Sequence, residues 1–214
     1  MKIICLGDSF TEGYLVYDKN YTRFLEKVGF VVRNLGVNGS VTEEMLNRYK
    51  RFMKEEKDDV LVVFGGSNDF LNGVSVEFAY QNLKSILDVS KATRKIVILP
   101  PYVEEEEIYS FYKEINKKVD YLYEKLITLK DSYNFSLIDA RKISGRYIDG
   151  IHLACDFHKK LAEKIIREIN DWTNRKPRND KRAYEKQTNI WSNFYNISSA
   201  RFKNNPKSSE KSNW

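Results

Sequence analysis

Ser9, Asp149 and His152 have the residue types and the spacing that nucleophilic catalysis uses. A serine hydroxyl is a poor nucleophile until a base removes its proton, and histidine is the usual base because its pKa lies near neutrality. The chain contains two histidines, and His152 follows the carboxylate of Asp149 by three residues. At that spacing the carboxylate can accept a hydrogen bond from imidazole Nδ1 and fix the tautomer of the ring. The pattern predicts a catalytic triad of Ser9, His152 and Asp149.

Three hydrogen-bond donors in the sequence could stabilise the negative charge that forms during acyl transfer. Its transition state places negative charge on a former carbonyl oxygen, and each donor aimed at that oxygen lowers the barrier by roughly 3–4 kcal/mol. The expected oxyanion hole consists of the backbone N–H groups of Ser9 and Gly39 and the side-chain amide of Asn68. Two of these donors have alternative readings, because a glycine needed only for a positive φ and an asparagine bonded to its own loop look the same in sequence.

Other polar residues beside these positions are expected to stay outside the chemistry. We expect Asp8 to bond the loops around the site, and His158 to be a surface or capping residue of the last helix. The chain has two cysteines, Cys5 and Cys155, and neither has a metal-binding spacing, so we expect no disulfide and no metal. Cys155 is expected to be a buried or passive thiol. No phosphate-binding loop of the GxGxxG or GxxxxGK[ST] kind is present, and no cofactor is expected.

The scaffold for these residues is predicted by the apolar pattern. Most apolar runs are continuous rather than alternating, which is typical of strands buried on both faces of a parallel sheet. Helical patterns alternate with them and indicate a doubly wound sheet with helices on both faces, a three-layer α/β/α fold. Ser40 and Glu43 are expected to form the capping box of the helix after the second strand. The five predicted strands are Ile3–Leu6, Phe30–Leu35, Val60–Phe64, Ile96–Leu99 and Phe135–Ile138.

The candidate residues follow the ends of the predicted strands. Ser9 follows the first strand, Gly39 the second and Asn68 the third. The fifth strand leads to Asp149 and His152 after about ten residues. Ligands of doubly wound sheets bind beyond the carboxyl ends of the strands, so four separated segments are predicted to meet at one edge of the sheet.

The segments that carry these residues resemble the sequence blocks of the SGNH/GDSL hydrolases. Gly7–Gly13, which reads GDSFTEG, is similar to the first block, with Phe10 where the family name has leucine. Gly39 resembles the glycine of the second block, Gly66–Asp69 the third block and Asp149–Leu153 the fifth, in the family's order. The resemblance implies a flavodoxin-like sheet and metal-free hydrolysis of esters or thioesters through an acyl-serine. The family also includes deacetylases and some acyltransferases.

Length and charge divide the chain into a body and a tail. The 214 residues suffice for one sizeable core, and we expect a hydrolase domain over residues 1–173 and a flexible tail over 174–214. From Arg175 onward ten lysines and arginines stand against three acidic residues, so the net charge of +6 belongs to the tail. No apolar run is long enough for a membrane span, and the first run is too short for a signal peptide. These features predict a cytoplasmic protein.

The sequence is compatible with three functions. The first is an esterase or thioesterase that acts on a small or medium acyl ester through Ser9. The second is a carbohydrate O-deacetylase or an acyltransferase on the same site, because pocket shape decides between water and an alcohol as acyl acceptor. The third is a flavodoxin-like binding module whose basic, aromatic-containing tail meets nucleic acid. The complete set of candidate catalytic residues favours the enzyme, and the tail lacks an RNA-binding motif.

Overall fold

The strands of the protein pair in parallel to form one five-stranded sheet. They are β1 (Lys2–Gly7), β2 (Val31–Gly36), β3 (Val60–Phe64), β4 (Arg94–Leu99) and β5 (Ser136–Asp139). This sheet belongs to a computed structural model that describes residues 1–53, 59–104 and 110–175. Within those residues the strand order is β2-β1-β3-β4-β5, and every pair is parallel. This is the flavodoxin-like order, and it brings the carboxyl ends of all five strands to one edge.

Helices cover both faces of the sheet. They are α1 (Ser9–Glu12), α2 (Tyr21–Lys27), α3 (Thr42–Phe52), α4 (Ser67–Leu71), α5 (Val76–Val89), α6 (Ser110–Tyr133) and α7 (Cys155–Arg175). Short 3₁₀ turns lie at Tyr17–Lys19 and Ala140–Lys142. Helices α3, α5 and α6 pack against one another on one face, whereas α1, α2 and α7 pack on the other. The predicted three-layer α/β/α class is therefore confirmed.

Burial on both faces explains the continuous apolar runs of the strands. Neighbouring side chains in a strand point to opposite faces of the sheet. Val63 of β3 belongs to a buried cluster that contains Met45 of α3 and Leu83 of α5. The next residue, Phe64, points the other way, and its ring centroid lies 5.0 Å from that of Phe10 in α1. Each central strand therefore needs apolar residues at every position.

The start of α3 differs from the prediction. The helix begins at Thr42, and the carboxylate of Glu44 accepts a hydrogen bond of 3.3 Å from the backbone N–H of Val41. The capping box predicted for Ser40 and Glu43 is therefore wrong by one residue. The physical reason is that Ser40 has other partners, because its hydroxyl and its carbonyl each accept a hydrogen bond from a side chain elsewhere in the fold.

The predicted tail and the prediction that the chain has no membrane span are compared next with the described residues. Helix α7 ends at Arg175, and residues 176–214 of the predicted tail lie outside the described residues, so its flexibility stays a prediction. Of the helices in the described ranges, none combines the length and the apolar composition that crossing a membrane requires.

Candidate active site

Ser9 is the first residue of α1, directly beyond the carboxyl end of β1. The chain turns sharply here, and a Cβ atom on Gly7 would lie 2.1 Å from Oγ1 of Thr11. The carboxylate of Asp8 caps α1 by accepting a hydrogen bond of 3.1 Å from the backbone N–H of Phe10. Ser9 is thus held at the N-terminal end of a short helix, where backbone N–H groups have no partner within the helix.

Ser9, His152 and Asp149 form a hydrogen-bonded chain. Nε2 of His152 lies 3.0 Å from Oγ of Ser9, and Nδ1 of the same ring lies 2.7 Å from Oδ2 of Asp149. With Nδ1–H donating to the carboxylate, Nε2 carries the lone pair that can accept the Ser9 proton. The structure therefore brings together the three residues that the sequence proposes as a triad, although 143 positions separate Ser9 from His152.

Asp149 is held in place by backbone groups as well as by the imidazole ring. Its Oδ1 accepts hydrogen bonds of 3.1 Å from the N–H of Ile151 and 2.7 Å from the N–H of His152. Burial acts to raise the pKa of Asp149, but these hydrogen bonds outweigh it and leave the pKa below its ordinary value. Asp149 is therefore a carboxylate at neutral pH and can orient the histidine.

Gly39 lies in a turn beyond the carboxyl end of β2. The backbone N–H of Ser40 donates a hydrogen bond of 3.1 Å to the carbonyl of Val37, and Gly39 has a φ of 74°. A positive φ at the third residue of a turn favours glycine. The N–H of Asn38 donates to the carboxylate of Glu12 over 3.1 Å, which ties this turn to the helix that carries Ser9.

Asn68 is the second residue of α4, beyond the carboxyl end of β3. Its Nδ2 donates a hydrogen bond of 3.2 Å to the carbonyl of Ser40, the residue that follows Gly39. A side-chain amide has two N–H groups, so the same nitrogen retains a second donor for a ligand. The structure thus places Asn68 against the turn of Gly39.

A buried polar cluster joins α3, α4 and α5 next to Asn68. The carboxylate of Asp69 accepts hydrogen bonds from the backbone N–H and the hydroxyl of Thr42, and Asn82 donates to that hydroxyl over 3.1 Å. Burial raises the pKa of Asp69, while the bonds from Thr42 oppose that rise. Sequence reasoning missed this cluster, because its members are 27 and 40 positions apart.

Asp8 and Cys155, which the sequence places outside the chemistry, differ from expectation. Asp8 was expected to bond neighbouring loops, but Oδ1 caps its own helix and Oδ2 is buried without a hydrogen-bond partner among the described residues. Burial raises the pKa of Asp8 to about 7. Cys155 is exposed at the start of α7 and therefore not buried, while its passivity stays a prediction.

His158 is not the surface or capping residue that the sequence predicts. It is 1% exposed, and its ring lies against those of Phe10, Tyr21 and Phe157. Burial lowers the pKa of His158 to about 4. The helical periodicity of α7 would have revealed this burial, because His158 lies three residues before the buried Leu161.

Aromatic rings flank the imidazole of His152. The ring centroid of Tyr14 lies 4.9 Å from it, and that of Phe10 lies 5.6 Å from it. Phe10 is buried, whereas Tyr14 is 41% exposed. Neither contact could be read from the sequence, because the two rings precede the histidine by more than a hundred positions.

A flavodoxin-like sheet with a serine, a histidine and a carboxylate joined at its carboxyl edge defines an α/β enzyme of the hydrolase class. Residues 5–159 match the model of the GDSL-like lipase/acylhydrolase family. The chain belongs to that family, as the sequence blocks indicated, and it is a GDSL-type ester hydrolase. No curated protein matches the chain.

Solved structures of low sequence identity share the fold. A lipolytic G-D-S-L family protein from Veillonella parvula is 20% identical, with a TM-score of 0.71 over 79% of this chain and 98% of its own. Est24, a carbohydrate acetylesterase from Sinorhizobium meliloti, is 17% identical, with a TM-score of 0.68 over 80% of this chain and 99% of its own. An aryl esterase from M. smegmatis is 17% identical, with a TM-score of 0.65 over 78% of this chain and 99% of its own.

Proposed function

We propose that the protein hydrolyses carboxylic esters or thioesters through an acyl-serine intermediate on Ser9. The observation that carries this proposal is the unbroken hydrogen-bonded chain from Oγ of Ser9 through His152 to Asp149. A nucleophile, a base and a group that orients the base are the parts that acyl transfer needs, and they occur here in one line.

The proposed reaction has two stages. Nε2 of His152 takes the Ser9 proton while Oγ attacks the acyl carbon, and the ionised Asp149 stabilises the imidazolium that forms. His152 then gives that proton to the leaving alcohol or thiol as the bond to the acyl carbon breaks. In the second stage His152 takes a proton from water, the resulting hydroxide attacks the acyl-serine, and His152 returns the proton to Oγ as the carboxylic acid leaves.

The oxyanion of each tetrahedral intermediate requires donors on the side away from His152. We assign these to the N–H groups of Ser9 and Gly39 and to Nδ2 of Asn68. The contact between Asn68 and Ser40 and the contact between Asn38 and Glu12 support this assignment, since they tie all three segments together. Donors that are fixed before the reaction stabilise the developing charge without reorganisation.

A second candidate within the same chemistry is O-deacetylation of a carbohydrate. The similarity in fold to a carbohydrate acetylesterase favours including acetylated sugars among the substrates to be tested. Acyl transfer to an alcohol would use the same acyl-serine, with the alcohol in the place of water. Product analysis of an ester incubated with a sugar or a simple alcohol separates transfer from hydrolysis.

The first experiment is labelling with a fluorophosphonate probe, which reacts with activated serines. The wild type should label, Ser9→Ala and His152→Ala should not, and Ser144→Ala, a change at an exposed serine, should label like the wild type. Acetyl, butyryl and longer p-nitrophenyl esters and thioesters then define the acyl group. Labelling that survives Ser9→Ala, or a folded wild type that neither labels nor hydrolyses any of these esters, would overturn the proposal.

A cytoplasmic location is part of the proposal. It is supported by two cysteines that form no disulfide, one of them exposed, because exposed thiols persist in reducing compartments. Cell fractionation should recover the protein with soluble cytoplasmic markers. Recovery with membranes or in the medium would contradict this location.

A further inference from the structure

Arg48, a residue of α3 that the proposed reaction does not use, donates to three segments at the edge of the sheet. Its Nη2 donates a hydrogen bond of 2.8 Å to the carbonyl of Gly7, at the end of β1. Its Nε donates one of 3.0 Å to the carbonyl of Leu35, near the end of β2, and Nη1 donates one of 3.1 Å to Oγ of Ser40. The side chain is partly buried among these acceptors.

Two of these three acceptors lie next to the assigned oxyanion donors. Gly7 is two residues before Ser9, and Ser40 directly follows Gly39. A guanidinium group presents its N–H donors in a rigid planar fork, so one side chain can fix three acceptors relative to one another. The ammonium of a lysine has the same charge but lacks that fork.

Ser40 connects Arg48 to both loop-borne donors. Its hydroxyl accepts from Arg48, while its carbonyl accepts from Nδ2 of Asn68 over 3.2 Å. Its N–H closes the turn that contains Gly39. A displacement of Ser40 would therefore move the N–H of Gly39 and the amide of Asn68 together, away from the N–H of Ser9.

We propose that Arg48 is a positioning residue that sets the geometry of the oxyanion hole through Ser40. This inference rests on the proposed acyl-serine chemistry. Arg48 does not touch the substrate, and it acts by holding the end of β1, the end of β2 and the turn of Gly39 in one arrangement. Its loss weakens binding of the transition state and leaves binding of the ground-state ester nearly unchanged.

The test compares Arg48→Lys and Arg48→Met with Arg51→Met, a change at an exposed arginine of the same helix. For each variant we would measure kcat and KM with one p-nitrophenyl ester, expressed per site titrated by fluorophosphonate so that unfolded protein is not counted. Both Arg48 variants should lose about 10- to 100-fold in kcat with little change in KM, as misplaced groups in active sites do. Arg51→Met should match the wild type.

A trifluoromethyl ketone that mimics the acyl group supplies the second readout, because its adduct with Ser9 carries an oxyanion. Its affinity should fall by the same factor as kcat/KM in the Arg48 variants, whereas affinity for the product acid should stay the same. Ser40→Ala should lower kcat too, and adding Arg48→Met to it should cost much less than Arg48→Met alone.

The outcomes separate this inference from the proposed function. An active wild type whose Arg48→Met variant keeps its kcat per titrated site overturns the inference alone. Full activity in Arg48→Lys but not in Arg48→Met also overturns it. The positive charge would then suffice for activity, and the planar arrangement of the guanidinium donors would not be required. A folded wild type that neither labels nor hydrolyses esters overturns the proposed function, and the inference falls with it.

Discussion

At the scale of single residues, the side-chain amide of Asn68 has two N–H groups, and the Ser40 carbonyl takes one of them. We expect Asn68→Ala to lower kcat about 100- to 1,000-fold, because loss of one oxyanion donor raises the activation barrier by roughly 3–4 kcal/mol. Asn47→Ala removes an exposed amide of α3 and should keep kcat near that of the wild type. Steady-state kinetics with a short-chain ester measure both, and an unchanged kcat in Asn68→Ala would remove Asn68 from the oxyanion hole.

The buried carboxyl of Asp8 predicts a pH-dependent stability. Burial raises the pKa of Asp8 to about 7 in the folded protein, well above that of an unfolded aspartate. The folded state therefore holds the proton more tightly. Its stabilising contribution is full below about pH 4 and is lost as the pH rises through about 7, a change of roughly 4 kcal/mol.

Asp8→Asn keeps the size of the side chain and cannot ionise, so it should remove this dependence. The free energy of unfolding of Asp8→Asn minus that of the wild type should increase from pH 4 to pH 8. Denaturant titrations at several pH values measure the difference, in which the titration of other groups largely cancels. Asp18→Asn, at an exposed aspartate, is the control and should run parallel to the wild type. A constant difference for Asp8→Asn would show that Asp8 is already ionised at pH 5.

At the scale of elements, the short helix α1 presents Ser9 and packs closely on β2. A Cβ atom on Gly36 would lie 2.1 Å from the backbone nitrogen of Glu12, and a backbone atom cannot swing aside as the end of a side chain can. The contact leaves room for glycine only. The position of Ser9 therefore depends on a residue of the neighbouring strand.

We expect Gly36→Ala to lower both stability and activity. The extra methyl group must push α1 away from β2, at a cost of about 1–3 kcal/mol, and this shift displaces Ser9 from His152. Thermal unfolding and the rate of fluorophosphonate labelling measure the two effects. Val31→Ala, on the exposed start of the same strand, should change neither by much. Wild-type stability in Gly36→Ala would show that α1 moves freely.

At the scale of the whole molecule, residues 1–175 contain every element described here. We expect a chain that ends at Arg175 to keep its activity toward small esters, because both helix layers and the Ser9–His152–Asp149 chain lie within it. A chain that ends at Lys164 should not fold, because it loses Ile165, Ile166 and Ile169, which are buried in α7. Ester hydrolysis and circular dichroism test both, and an inactive but folded 1–175 chain would assign the tail a part in the site.

The same truncation addresses the binding-module alternative. If the basic tail binds nucleic acid, the full chain should bind single-stranded DNA with an affinity that falls steeply with salt, and the 1–175 chain should not. Equal and weak binding by both chains would exclude nucleic-acid binding by the tail.

Much of the fold and the core of the site could be predicted from sequence. The strands are readable because a parallel strand buried on both faces must be apolar at each position, as in Val60–Phe64. Ser9, Gly39 and Asn68 are readable because each follows a strand, and ligand sites of such sheets lie at the strand ends. Asp149 and His152 are readable from their own spacing, which local hydrogen bonding dictates.

Only the tertiary structure decided how these parts are held. The partners of Ser40 and the three hydrogen bonds of Arg48 join separate segments of the chain, and no local pattern encodes them. The raised pKa of Asp8 has the same origin, since the surrounding chain removes water from a residue that reads as an ordinary turn aspartate. Residue type and spacing determine which chemistry the chain can perform, whereas long-range packing determines where its protons and hydrogen-bond donors lie.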